Sequence, residues 1–207
     1  MDQTVRQNQV IEDFKAGNLR FLSGASIHSS QSSLQKLKEF AKTGQSPKAI
    51  VLCCSDSRAP VELIFDQDIG DIFVIRVAGN IVAPSLVGSV EFAATTFGVS
   101  LVLVMGHTQC GAVTAALHHI DNPDAQSSAN FSAIVNRIKP HIYAIAKVSS
   151  WTQTEKLERA IEANVLASVA QLFSSSPMIE ELVQKKQLKI IGGILELASG
   201  KVNFLDQ

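Results

Sequence analysis

Most of the residues in this chain that could do chemistry lie in two short motifs, Cys54-Ser55-Asp56-Ser57-Arg58 and His107-Thr108-Gln109-Cys110. Between them the motifs offer two thiols, one imidazole and one carboxylate. Those donors suit zinc, which takes sulfur and nitrogen in a tetrahedral shell. A catalytic zinc site keeps three protein ligands and a fourth position that can open to water. Taken singly, each cysteine has a plainer reading as a small buried residue at a strand end. The joint pattern is what points to a site.

Both motifs need elements that bring them together. Residues 49–53 and 101–105 are short apolar runs rich in β-branched side chains and bounded by turn formers, which predicts two buried parallel strands. In an open α/β sheet, ligands collect outside the carboxyl ends of the strands, so motifs about fifty residues apart can converge there. The pattern continues with a strand over 72–77, a helix over 85–97 and a helix after Gly111. A loop follows over 122–130, then helices over 134–146, 155–173 and 177–185, a strand over 188–197 and a last strand over 202–205. This predicts an α/β fold: a central, mostly parallel sheet of four strands plus an antiparallel C-terminal strand, flanked by helices.

Before the first strand, Val10, Ile11, Phe14, Phe21 and Leu22 recur at helical spacing, as do Leu34, Leu37, Phe40 and Ala41. They predict a helical N-terminal arm over 1–44, joined to an α/β core over 45–207 within a single domain of 207 residues. An arm with its own apolar stripe must cover either its own sheet or a neighbouring subunit.

Composition narrows the function. A net charge of -1 with no basic run interleaved with aromatics argues against nucleic acid as a partner. The first twenty residues lack the basic start and apolar core of a secretory signal, and no apolar run reaches membrane-spanning length. The expectation is a cytoplasmic protein with no membrane partner. Three cysteines, two of them adjacent, make a poor disulfide framework and suit reduced thiols used as ligands. Strand alternation turns Cys53 away from Cys54 and makes it a core residue.

Other polar residues read as structural. His118 and His119 belong to a helix surface, and nothing is assigned to His28 or His141. Asp66 and Asp68 shape a turn with Gly70 and Asp71. Glu91 starts a helix and meets its positive dipole end, while Arg76 binds Glu91 or a subunit interface.

Beyond the two motifs, the chain carries Ala16-Gly17-Asn18-Leu19-Arg20-Phe21, Gln45-Ser46-Pro47, Phe65-Asp66-Gln67, a run from Gly70 to Asn80, Gly88-Ser89-Val90-Glu91-Phe92, and Gly106 to Val113. In this order and context it resembles the β-class carbonic anhydrases, in their plant-like branch and bacterial type. The resemblance implies a zinc lyase that reversibly hydrates carbon dioxide to bicarbonate and a proton, with one zinc per chain on Cys54, His107 and Cys110. Asp56 would either close the zinc shell or swing onto Arg58, leaving the fourth position to a water whose ionisation supplies the attacking hydroxide. Two thiolates should make that water harder to ionise than three histidines would, so activity should rise with pH.

The resemblance further implies that Gln45 orients the substrate, that Gly111 presents a backbone N–H, and that Phe73 with Ala78 walls the pocket. Phe92 stands where many relatives carry tyrosine. A homodimer or higher homo-oligomer is implied. Two rivals stand beside this reading: a carbonyl sulfide or carbon disulfide hydrolase on the same scaffold, and a non-catalytic zinc site closed by Asp56.

Overall fold

The structure is a computed structural model and describes residues 3–27 and 30–205. Its sheet is built from β1 (Ala49–Cys53), β2 (Ile72–Arg76), β3 (Leu101–His107), β4 (Lys189–Leu195) and β5 (Val202–Leu205), in the order β2-β1-β3-β4-β5. The first four strands run parallel and β5 is antiparallel to β4, as expected. The chain lays β2 on one side of β1 and then crosses to lay β3 on the other. That reversal opens the crevice between the carboxyl ends of β1 and β3 where ligands bind in such sheets. Register places Cys53 opposite both Arg76 and Met105, so the two motif-bearing ends lie level.

All residues of β1 and β3 are buried, as central strands covered on both faces require. Alternation sends Ile50, Leu52, Val102, Val104 and Ile190 to one face. There they pack with Val90 of α4 (Pro84–Thr96), Val165 and Leu172 of α7 (Gln153–Ser174) and Ile179 of α8 (Pro177–Gln184). The other face gathers Val51, Cys53, Leu103, Met105 and Ile191 under Val10 and Phe14 of α1 (Gln3–Ser23). Cys53 is a core residue, and Cys54 falls in a third cluster with α5 (Gly111–Asp121) and α6 (Ala129–Ala146).

The arm is helical and its first helix covers the chain's own sheet. Phe14 stacks on Phe65 with ring centroids 4.5 Å apart. Asn18 donates through Nδ2 to the carbonyls of Ile64 at 3.1 Å and Gly200 at 2.9 Å, and its Oδ1 accepts from the Val202 N–H at 3.0 Å. Arg20 Nε donates to the buried Asp66 carboxylate at 2.5 Å. In α2 (Ser30–Thr43), Lys36 pairs with buried Asp68 at 3.1 Å, while Leu34 and Leu37 are half-exposed.

Several expectations are corrected. The loop expected over 122–130 ends at Ser128, whose hydroxyl caps α6 by accepting from the Phe131 N–H, so that helix begins well before residue 134. β3 runs on to His107, two residues beyond its expected end. A single-turn helix α3 (Val61–Ile64) and a 3-10 turn over Ala78–Asn80 are too short to leave a periodic signal. Glu91 does not start a helix. It lies two turns into α4 and accepts from the Ser176 hydroxyl at 2.5 Å.

Asp68 does shape the expected turn with Asp71, and both Asp66 and Asp68 also anchor the arm. His141 accepts from Gln171 Nε2 at 2.8 Å, and His28 lies outside the described residues. Among the described residues no helix is long and apolar enough to cross a membrane.

Candidate metal centre

Cys54 follows β1 directly, His107 is the last residue of β3, and Cys110 caps the N-terminus of α5. Exposures of 5%, 0% and 1% make all three buried. Their ligand atoms lie within 4.8 Å of one another, a spacing that suits a shared metal ion. The turn between His107 and Cys110 is tight: Gln109 takes a left-handed φ of 58°. Thr108 ties the turn to β4, donating its N–H to Leu195 O at 2.9 Å and accepting the Leu197 N–H on its hydroxyl at 3.0 Å.

The hydrogen bonds around the sulfurs favour thiolate. Cys54 Sγ accepts the Gly79 N–H at 3.3 Å, and Cys110 stands at the N-terminus of α5, where the backbone N–H groups favour a negative charge. The hydrogen bond with Cys110 holds the Cys54 thiol well below its ordinary pKa against the opposing effect of burial. Cys110, which keeps the shared proton and is buried, is pushed up. A divalent cation bound between the two sulfurs would favour ionisation of both.

His107 has the tautomer a metal needs. Its Nδ1 lies 2.9 Å from the Thr108 carbonyl, which can only accept, so Nδ1 carries the proton and Nε2 the lone pair. Nε2 is buried and without a hydrogen-bond partner among the described residues. Burial pulls the pKa of the ring down, but the Cys54 sulfur, the Thr108 carbonyl and the Asp56 carboxylate together raise it. One sulfur inclined to ionise, a second beside it and an orphaned imidazole nitrogen within reach of both fit a zinc ion.

Asp56 lies beside this group and is held by Arg58. Its Oδ1 accepts from the Arg58 backbone N–H and from Nε, both at 2.9 Å, and its Oδ2 accepts from Nη2 at 2.7 Å. That fork keeps the Asp56 carboxyl far below the usual carboxylate range. Arg76 does not bind Glu91. It donates to the Cys54 carbonyl at 3.2 Å and the Asp56 carbonyl at 2.6 Å, clamping the backbone of the first motif.

The remaining expected residues divide. Gly111 and Ala78 sit at the site, Gly111 next to Cys110 and Ala78 next to Gly79. Gln45 and Phe73 are not brought to it within one chain. Gln45 precedes β1 at the end opposite Cys54, and five strand residues at ~3.3 Å each separate the two ends. Phe73 pairs with Ile50 in the amino-terminal half of β2, and its ring packs against Phe92 and Phe97 at 6.2 and 6.1 Å. Phe92 itself is 51% exposed.

Sequence reasoning passed over Gly79, Arg76 and Thr108 as supports of the ligands. The glycine in Val77-Ala78-Gly79-Asn80 was the available signal, since its φ of 70° disfavours any side chain.

The family model described as carbonic anhydrase (Pro_CA) matches residues 49–202. Carbonic anhydrase 2 of Mycobacterium tuberculosis is 35% identical over 192 residues, covering 93% of this chain and 89% of the relative. Carbonic anhydrase of Pseudomonas aeruginosa is 30% identical, covering 95% and 88%. Among solved structures, the β-carbonic anhydrase CcaA superposes with a TM-score of 0.72 at 26% identity, covering 96% of this chain and 94% of the other. CafA, a β-carbonic anhydrase of Aspergillus fumigatus, gives 0.74 at 29% identity, covering 86% and 83%.

Proposed function

Because the chain belongs to the β-carbonic anhydrase family, we propose that it catalyses the reversible hydration of carbon dioxide to bicarbonate and a proton at the crevice between β1 and β3. One zinc per chain would be held by Cys54, His107 and Cys110. Bound zinc would supply Lewis acidity, lowering the pKa of a coordinated water from about 15.7 towards roughly 7.

The observation that carries the reading is the arrangement around Asp56. Three ligand atoms converge while the nearby carboxylate is drawn aside by Arg58. A purely structural site would gain nothing from that competing guanidinium, which weighs against the closed-site alternative. Arg58 holds Asp56 ionised and out of the ligand cluster, so its carboxylate can accept a hydrogen bond from the reacting water and orient it. Movement of Asp56 between Arg58 and the cluster would switch the site off and on. Gly111 offers a backbone N–H beside Cys110 for a substrate oxygen.

Gln45 and Phe73 complete the pocket from a second copy of the chain, since their own strand positions set them away from their own cluster. The enzyme is then a homodimer or a larger homo-oligomer, with arm and core acting as one domain. Three free cysteines suit a reducing compartment, and the cytoplasm is the proposed location.

The test is stopped-flow carbon dioxide hydration across the neutral to alkaline range, on protein of measured zinc content, with Cys54→Ser as control. Turnover that rises with pH and is lost in the control supports the reading. One zinc per chain with no hydration at any pH would reject it, and a carbonyl sulfide assay would follow.

A further inference from the structure

Gly79 is the point where four elements meet. Its N–H donates to Cys54 Sγ at 3.3 Å. A Cβ built there would lie 2.7 Å from Ile138 Cδ1 of α6 and 3.0 Å from Ala112 Cβ of α5. From α7, Asn164 Nδ2 donates to the Gly79 carbonyl at 2.8 Å. Asn164 is 2% exposed and touches none of the metal-site side chains by hydrogen bond.

The turn would not hold this shape unaided. Gly79 and Asn80 are consecutive left-handed residues, with φ of 70° and 43°. For Asn80, which carries a side chain, that conformation is strained and persists only where the surroundings enforce it. The Gly79 carbonyl is buried with its residue, so losing its donor would leave an unpaired acceptor and a turn with reason to rearrange. Rearrangement at Gly79 would carry its N–H away from the Cys54 sulfur.

We propose that Asn164 is a positioning residue of the metal centre: by gripping the Gly79 carbonyl from α7 it holds the Gly79 N–H on Cys54 and so sets the donor strength and aim of that sulfur. This rests on the reading of Cys54 as a zinc ligand. Partners that orient metal ligands typically contribute ~10- to 100-fold to metal affinity. Asn164 acts one residue further out, which places its effect at the lower end of that range.

The experiment measures zinc affinity by chelator competition and records the sulfur-to-metal charge-transfer band of the cobalt(II)-substituted protein. The variants are Asn164→Leu and Asn164→Asp, which remove the donor at similar size. Asn164→Ser replaces them if neither folds. Leu172→Ala, fully buried on the same helix and remote from Gly79, controls for stability loss.

About tenfold weaker zinc binding and a displaced band in the Asn164 variants, with both properties unchanged in Leu172→Ala, is the expected result. Affinity within twofold of the parent and an unmoved band would overturn the proposal, as would equal weakening in Leu172→Ala. Failure of the underlying reading looks different: there Cys54→Ser would bind zinc as tightly as the parent, and the proposal would fall with it.

Discussion

Asp56 Oδ2 stands 3.7 Å from Nε2 of His107. The same oxygen accepts from Arg58 Nη2 at 2.7 Å, so one carboxylate lies within a short swing of both the guanidinium and the ligand cluster. Arg58→Ala removes the fork and leaves the cluster as the stronger attraction. Its kcat/KM for carbon dioxide should fall on the order of 10²-fold, as expected when a reacting group is misplaced, while zinc content stays at one per chain. Full activity in Arg58→Ala would refute the switch.

Stripping the metal should loosen the protein as well as silence it. Ligands that bind the folded state only contribute stability by mass action, ~2.7 kcal/mol at a hundredfold excess over Kd. Dialysis against a strong chelator should lower Tm and zinc should restore it, whereas Cys110→Ser should show neither response. A Tm indifferent to chelation would count against a metal bound by these three residues.

Cys53 should behave unlike its neighbour. Burial pushes its thiol up to about 12, against the lowering effect of Arg76. A raised pKa keeps the thiol neutral in the folded state, and its stabilising effect is complete below the pKa of the unfolded thiol and lost as pH climbs from about 9 towards 12. After chelation at pH 8, an alkylating reagent should label Cys54 and spare Cys53, with all three cysteines reacting in concentrated denaturant. Mass spectrometry of the digest decides, and labelling of native Cys53 would contradict its burial.

The strand that separates Gln45 from Cys54 makes a subunit-mixing test decisive. Gln45→Ala and Cys54→Ser should each be inactive alone. Refolded together, they should regain activity, because a hybrid pairs an intact metal site with an intact glutamine from the other copy. Absence of complementation in verified mixed oligomers would return Gln45 to a role outside the pocket.

Gly17→Ala should detach α1 from the core. Its Cβ would fall 1.8 Å from the Phe65 carbonyl oxygen, a backbone atom with no room to retreat. Overpacking of this kind typically costs ~1–3 kcal/mol. Urea denaturation should show that loss, and a midpoint equal to the parent's would sink the claim.

The sheet was legible because β1 and β3 are uninterrupted apolar runs between turn formers, and the Cys54-His107-Cys110 group was legible because cysteine and histidine at strand ends are few. Their supports were not. Arg76 could have paired with any acid, and only the register of β2 against β1, with Arg76 opposite Cys53, brings it over the first motif. Asn164 is one polar residue in a long helix, and its partner, the Gly79 carbonyl, lies 85 residues earlier. The helix itself was expected from residue 85, but Glu91 lies two turns into it, beyond the first turn where the dipole acts, and its carboxylate instead meets Ser176. Residues 34 and 37 signalled an apolar stripe correctly, yet within one chain that stripe stays uncovered.

The place of β4 in the sheet has a consequence for how the enzyme is made. His107 sits opposite Leu195, and the turn behind it hangs from Leu195 and Leu197. On the ribosome, β1, β2 and β3 emerge long before the strand that flanks β3 and fastens that turn. Parallel pairing between such distant segments is slow because loop closure precedes any gain from contact. Until β4 is made and paired, the turn that carries His107 and Cys110 lacks the strand that fastens it. Metal capture by Cys54, His107 and Cys110 would then wait on the pairing of β4, and a chain stalled before residue 189 should bind zinc more weakly than one that includes that strand.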